Sequence, residues 1–105
     1  MMAGSNVILS AIKAQVQQVL PGAKVLLFGS RAYGQPTDES DWDILILTAN
    51  PVTAVIKQAI HNALFPLSVQ TGAFINSLTV EENEWLNNPA YYSLQQTVTK
   101  EMLPL

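Results

Sequence analysis

The stretch Lys24-Val25-Leu26-Leu27-Phe28-Gly29-Ser30-Arg31-Ala32-Tyr33-Gly34, followed after a polar loop by Asp41-Trp42-Asp43-Ile44-Leu45-Ile46-Leu47, decides the reading of this chain. Lys24 to Phe28 is a short apolar run between Gly22 and Gly29, the pattern of a buried strand. Gln35 to Ser40 is polar and reads as a loop. Asp41 to Leu47 is a second strand, too apolar in its latter half for an exposed sheet face, which places it mid-sheet.

Working outward, Ile8, Ile12, Val16, Val19 and Leu20 recur at three- and four-residue steps. They predict an amphipathic helix that Ser5 or Asn6 caps and Pro21-Gly22 ends. After the second strand, Asn50-Pro51 is a cap-plus-first-turn signal for a second helix. Its apolar face is Val52, Val55, Ile56, Ile60, Ala63 and Leu64, and Pro66 stops it. A third strand is expected within Leu67 to Ile75. Thr79 and Glu82 form a capping box for a short helix around Trp85, and Asn88-Pro89 opens another with Tyr91, Leu94 and Val98. The order α-β-β-α-β-α-α predicts an α/β fold, one layer of sheet of three to four strands with helices packed on it and the strand order left open, as one domain over residues 1–105.

Composition narrows the function. The 105 residues are 49% hydrophobic and 12% charged, against roughly 25% charged in an average soluble domain. An uncharged surface of that extent suggests a protein partner or a homodimer. Net charge is −3 and pI about 4.8, with Arg31 and four scattered lysines as the only cations, so there is no basic stripe for autonomous nucleic-acid binding. Cysteine is absent, which removes thiolate chemistry and Cys-ligated zinc. Ile44 to Leu47 is as long as any unbroken apolar run, far short of the ~20 residues of a transmembrane helix. The N-terminus, with its first basic residue at Lys13, does not read as a signal peptide, so no membrane role and a cytoplasmic location are expected.

Asp38, Glu39, Asp41 and Asp43 are four of the eight acidic residues and include every aspartate. Such clustering focuses negative potential and is destabilising unless water or a cation screens it. Residues two apart on a strand share a face, so Asp41 and Asp43 project together with Cα atoms about 6.6 Å apart, while Trp42, Ile44 and Ile46 point the other way. Both carboxylates can reach one ion, and a hard divalent cation, Mg²⁺ or Mn²⁺, is the natural counter-charge; a solvated acidic turn is the other reading. In the turn before them, Gly29 allows close backbone approach and Ser30 adds a hydroxyl beside backbone N–H groups, a cradle for phosphate. No Gly-Lys-Ser/Thr occurs, so the turn is not a Walker loop.

Gly29-Ser30, ten intervening residues, and Asp41-Trp42-Asp43 followed by Ile44-Leu45-Ile46-Leu47 resemble the Gly-Ser-x10-Asp-x-Asp signature of minimal nucleotidyltransferases in the DNA polymerase β-like superfamily. Phe28 to Gly34 and Ser40 to Leu47 agree around the motif as well as in it. The resemblance implies a single-layer mixed-sheet nucleotidyltransferase fold, Mg²⁺ (or Mn²⁺) held by Asp41 and Asp43 as catalytic residues, and a triphosphate gripped by Gly29 and Ser30. Many relatives act beside a HEPN-domain toxin as its antitoxin, and some transfer AMP from ATP to a toxin tyrosine. Two divalent ions about 3.5–4 Å apart can stabilise the attacking and leaving oxygens of such a displacement. Arg31, one residue past Ser30, neutralises phosphate charge or forms a salt bridge to the acidic loop.

One departure stands out. Members of this superfamily usually bring a third carboxylate from the next strand, yet Ile44 to Val80 contains no Asp or Glu. Spacing puts Gln70 at that position, and an amide is a weaker ligand that cannot take a proton. Glu81 and Glu82 substitute only if their helix start folds back to the site.

Other residues carry less. His61 follows core-facing Ile60 and reads as a surface residue. Trp85, Tyr91 and Tyr92 read as core or partner contacts before a nucleobase shelf. The Asp-x-Asp of nucleotide-sugar glycosyltransferases needs a larger domain, and an EF-hand fails because Ile44 to Leu47 stand where calcium ligands belong. Two functions follow: an Mg²⁺-dependent nucleotidyltransferase moving AMP from ATP to a protein hydroxyl as antitoxin to a HEPN-type toxin, or a catalytically weak relative that works by holding a partner.

Overall fold

The computed structural model describes residues 5–28, 41–95 and 103–104. The first helix, α1 (Ser5–Val19), buries Ile8, Ile12 and Val16, with Leu20 continuing the stripe. Ser5 and Asn6, expected as its cap, are already helical. Its exit is fastened by one side chain. Gln17 accepts from the Gly22 backbone N–H at 2.8 Å and donates through Nε2 to the Ala23 carbonyl at 2.8 Å. Gly22 has φ +83°, a conformation open to glycine at no steric cost.

Strand β1 (Lys24–Phe28) lies antiparallel to β2 (Trp42–Thr48), with Lys24 opposite Leu47 and Phe28 opposite Asp43. Strand β3 (Ile75–Glu81) lies parallel to β2 on its other side, with Trp42 opposite Ile75 and Thr48 opposite Glu81. A two-residue strand, β4 (Leu103–Pro104), pairs with β1 opposite Leu26 and Leu27, giving the order β3-β2-β1-β4. This last strand is unexpected from the sequence. A proline there is tolerated because an edge strand need not donate on its outer side.

The sheet explains the apolar run of β2. On one face Val25, Leu27, Trp42, Ile44 and Ile46 pack with Ile8, Ile12, Val16, Ile60 and Leu64. On the other, Leu26, Leu45, Leu47 and Val80 pack with Trp85. Covered on both faces, β2 cannot alternate apolar with polar, and its mid-sheet position is as expected.

Helix α2 (Ala54–Thr71) departs from expectation at both ends. Thr53, not Asn50, is its N-cap, its Oγ1 accepting from the Ile56 N–H at 3.2 Å, while the Asn50 N–H is held by Thr48 Oγ1 in the turn that ends β2. Val52 therefore precedes the helix, and Val55 is exposed. Pro66 does not stop it. The proline is exposed, as is Asn62, whose carbonyl loses a partner, and Leu67 beyond it still packs on the core. Tertiary packing thus overrides the proline's helix penalty of about 3 kcal/mol. The stop is Gly72, φ +70°, whose N–H donates to the Ser68 carbonyl.

That extension displaces the third strand, expected within Leu67 to Ile75, to β3. Thr79 is consequently a buried strand residue rather than a cap. The helix α3 (Glu82–Asn87) starts after Glu81 with no side-chain cap, and Glu82 instead meets Lys24 at 3.1 Å. Asn88 does cap the expected last helix, accepting from the Ala90 N–H at 2.9 Å; it opens as the 3₁₀ turn Pro89–Tyr91 and is α-helical at residues 92–95, while Val98 lies outside the described residues. Among the described residues no helix is long and apolar enough to cross a membrane.

Candidate functional site

The register decides what the two aspartates can do. Trp42, Ile44 and Ile46 face α1 and α2, so Asp43 projects from the opposite face, with Asp41 two residues before it at the strand entrance. The Trp42 N–H donates to the Phe74 carbonyl at 2.8 Å, tying that entrance to the start of β3. Asp41 is exposed and Asp43 half-buried.

Asn76 is the residue of β3 opposite Asp43. Its Nδ2 donates to Asp41 Oδ2 at 2.9 Å and to Asp43 Oδ1 at 3.3 Å. Two carboxylate oxygens thus converge on a single polar atom. A shared donor offsets part of the repulsion between neighbouring anions, and hydrogen bonds to charged acceptors are stronger than neutral ones. Among the described residues no third Asp, Glu or His joins the pair.

The other expected residues divide cleanly. Gly29, Ser30 and Arg31, with Asp38 and Glu39, lie outside the described residues. Gln70 is not at the third position; it is exposed in the last turn of α2, because that helix continues through Pro66. Asn76 stands on the next strand opposite Asp43 instead, and the sequence signal for it is the polar pair Asn76-Ser77 between Ile75 and Leu78. Glu81 and Glu82 do not fold back: Glu81 pairs with Thr48, five strand residues and about 16 Å beyond Asp43.

A hollow of about 260 Å³ at that far end is lined by Lys57, Glu81, Glu84 and Tyr91 among others, well separated from the aspartates. His61 is exposed and stacks at a tilt on Phe65, with 5.8 Å between ring centroids. Trp85 is buried and packs on Tyr91 at 5.7 Å, which makes it core and removes it from any contact surface; Tyr92 is exposed.

A mixed sheet with two carboxylates at the entrance of its central strand defines a nucleotidyltransferase fold, and the comparisons with known proteins agree. The nucleotidyltransferase domain family matches residues 9–95, and the chain belongs to that family. No curated protein matches. Among solved structures, a toxin–antitoxin with AMP-PNP superposes with a TM-score of 0.66 at 18% identity, over 90% of this chain and 69% of the other. A mutant of the MntA–HpeT toxin–antitoxin gives 0.62 at 16% identity, over 97% and 72%. A tri-AMPylated HEPN toxin with its MNT antitoxin, from Shewanella oneidensis, also gives 0.62 at 16% identity, over 94% and 69%. At these identities the likeness is one of fold.

Proposed function

We propose that this protein is an Mg²⁺- or Mn²⁺-dependent nucleotidyltransferase that moves AMP from ATP to a hydroxyl on a HEPN-type toxin, acting as its antitoxin in the cytoplasm. The observation that carries the reading is the convergence of Asp41 Oδ2 and Asp43 Oδ1 on one point, in a chain of the nucleotidyltransferase family. Carboxylate oxygens converging on a site now filled by an N–H donor suit a hard divalent cation, which would take that donor's place. The solved complexes that share the fold include one with AMP-PNP and one with an AMPylated HEPN toxin, which supports nucleotide and partner alike.

In this reading Asp41 and Asp43 hold the ion, and Gly29 and Ser30, which follow β1 in the chain, cradle the triphosphate with Arg31 beside them. Held by those carboxylates, a divalent ion would supply positive charge to offset what develops on the phosphoryl oxygens. The acceptor hydroxyl oxygen bonds to the α-phosphorus, the bond from that phosphorus to the bridging oxygen breaks, pyrophosphate leaves, and the hydroxyl proton passes to solvent. Glu81, the one carboxylate of β3, stands about 16 Å beyond Asp43 and is out of reach of that proton.

That last point favours a second reading, a catalytically weak protein that works by holding its partner, and one experiment separates the two. The protein is incubated with α-labelled ATP, Mg²⁺ and a co-expressed HEPN-type partner. Label on the partner that is lost in Asp41→Asn/Asp43→Asn supports transfer. A stable complex that never takes label establishes the second reading, and neither label nor complex removes both.

A further inference from the structure

We infer that Asn76 is a member of the carboxylate site whose amide stands in for a cation in the ion-free protein and turns to ligate the cation when one binds, and that this neutral third ligand limits the site to one ion. The inference rests on the metal-site reading above and goes beyond it.

Three observations carry it. Asn76 is fixed opposite Asp43 by the parallel register, so its side chain shares the face of the two carboxylates. Its Nδ2 lies within hydrogen-bond distance of both, at 2.9 and 3.3 Å, in the position between them that a shared cation takes. The next two residues of β3 on that face, Leu78 and Val80, are apolar and packed with Trp85, so the strand offers no other oxygen there.

The chemistry of the amide follows. An asparagine has a donor and an acceptor on a planar group, and the torsion that exchanges them is soft and roughly two-fold. With no cation present, two carboxylates select the N–H end. A divalent ion between them repels that end and selects Oδ1, a normal ligand for Mg²⁺ or Ca²⁺. No backbone movement is needed, only a half-turn of the amide. The exchange changes geometry without adding charge. Two carboxylates neutralise one divalent ion, the one that arrives with the triphosphate. A second ion about 3.5–4 Å away would add two more positive charges beside the first, and an amide, unlike a carboxylate, supplies no negative charge to offset them.

The test counts ions. Mn²⁺ bound per chain is measured by electron paramagnetic resonance at saturating non-hydrolysable ATP analogue, for the wild type, Asn76→Asp and Asn76→Leu. One ion in the wild type, two in Asn76→Asp, and Mn²⁺ affinity weakened roughly tenfold or more in Asn76→Leu support the inference. Two ions in the wild type, or unchanged affinity in Asn76→Leu, overturn it while leaving the metal site standing. No bound Mn²⁺ in the wild type overturns the metal-site reading as well. Should Asn76→Asp not fold without metal, the wild type alone decides the amide turn. The Asn76 side-chain NH₂ resonances should shift on saturation with Mg²⁺ and analogue, and unmoved resonances refute the turn.

Discussion

Phe28, the last residue of β1, is the strand partner of Asp43. Strand β1 therefore ends beside the carboxylates. Glu81, Glu82 and Lys24 gather at the other end, so the molecule separates its acidic chemistry from its one ion pair among the described residues.

The first expectation concerns metal. Mg²⁺ or Mn²⁺ should raise the melting temperature, because a ligand that binds only the folded state stabilises it, by about 2.7 kcal/mol at a hundredfold excess over Kd. For a domain of this size that is a rise on the order of 10 °C or more. Differential scanning fluorimetry should show the rise in the wild type and none in Asp41→Asn/Asp43→Asn. A double variant that still responds would place the ion elsewhere.

Gln70 and Asn76 should behave oppositely. Gln70 is exposed on α2, so Gln70→Glu should leave metal response and AMP transfer at wild-type levels and stability within about 0.5 kcal/mol. A gain in transfer from Gln70→Glu would contradict the position of β3.

Gly72 holds φ +70° at the end of α2, and a methyl group added there would meet no atom within 4 Å. Gly72→Ala therefore isolates backbone strain from packing. It should lower stability by about 1 kcal/mol, read as a fall of about 4–8 °C in melting temperature. A neutral result would mean that α2 ends differently in solution.

Ile46 is fully buried, between α1 and α2 on one side and the sheet on the other. Ile46→Ala should cost about 2–5 kcal/mol in urea unfolding, the range for truncating a core aliphatic. Surface apolar residues offer the contrast: Val55 is 78% exposed, and Val55→Ala should change stability by no more than about 0.5 kcal/mol.

Association with a partner, or with a second copy, should resist salt. Charged residues are 12% of the chain, while Val55, Phe65, Val69, Phe74 and Leu86 are exposed apolar side chains. An assembly built on such surface should sediment unchanged between about 0.1 and 1 M NaCl, since screening acts on charges. Dissociation at high salt would point to an electrostatic contact.

Much of this was legible in the residues. The apolar runs Lys24 to Phe28 and Ile44 to Leu47 mark two buried strands because a strand covered on both faces has no polar alternation to lose. Asp41 and Asp43 fall on one face by the two-residue repeat alone, opposite Trp42, Ile44 and Ile46 as the structure has them. What failed was punctuation. Pro66 reads as a stop, but whether a proline ends a helix depends on packing beyond it, here Leu67 on the core, which no local pattern carries. From that one misplaced boundary came the strand shifted toward Leu67 and the assignment of Gln70. Asn76 went unassigned for a related reason: the polar pair it makes with Ser77 in the chain does not say what it meets, since its partners are 33 and 35 residues away and only the parallel register brings them together. Strand β4 has two residues, one of them proline, too short for any periodicity.

The register has a last consequence, carried by the short connection 72–74 between α2 and β3. Because side chains alternate along a strand, the length of that connection is a ruler that selects which residue of β3 meets Asp43. Shortened or lengthened by one residue, it would bring Ser77 or Ile75 there, while Leu78 and Val80 turned from the Trp85 face. The apolar pairs further along the strand would resist that slip. The identity of the third group at the acidic end is thus guarded by leucine and valine at the other end, and a change of chemistry there is open to substitution at Asn76 but closed to sliding.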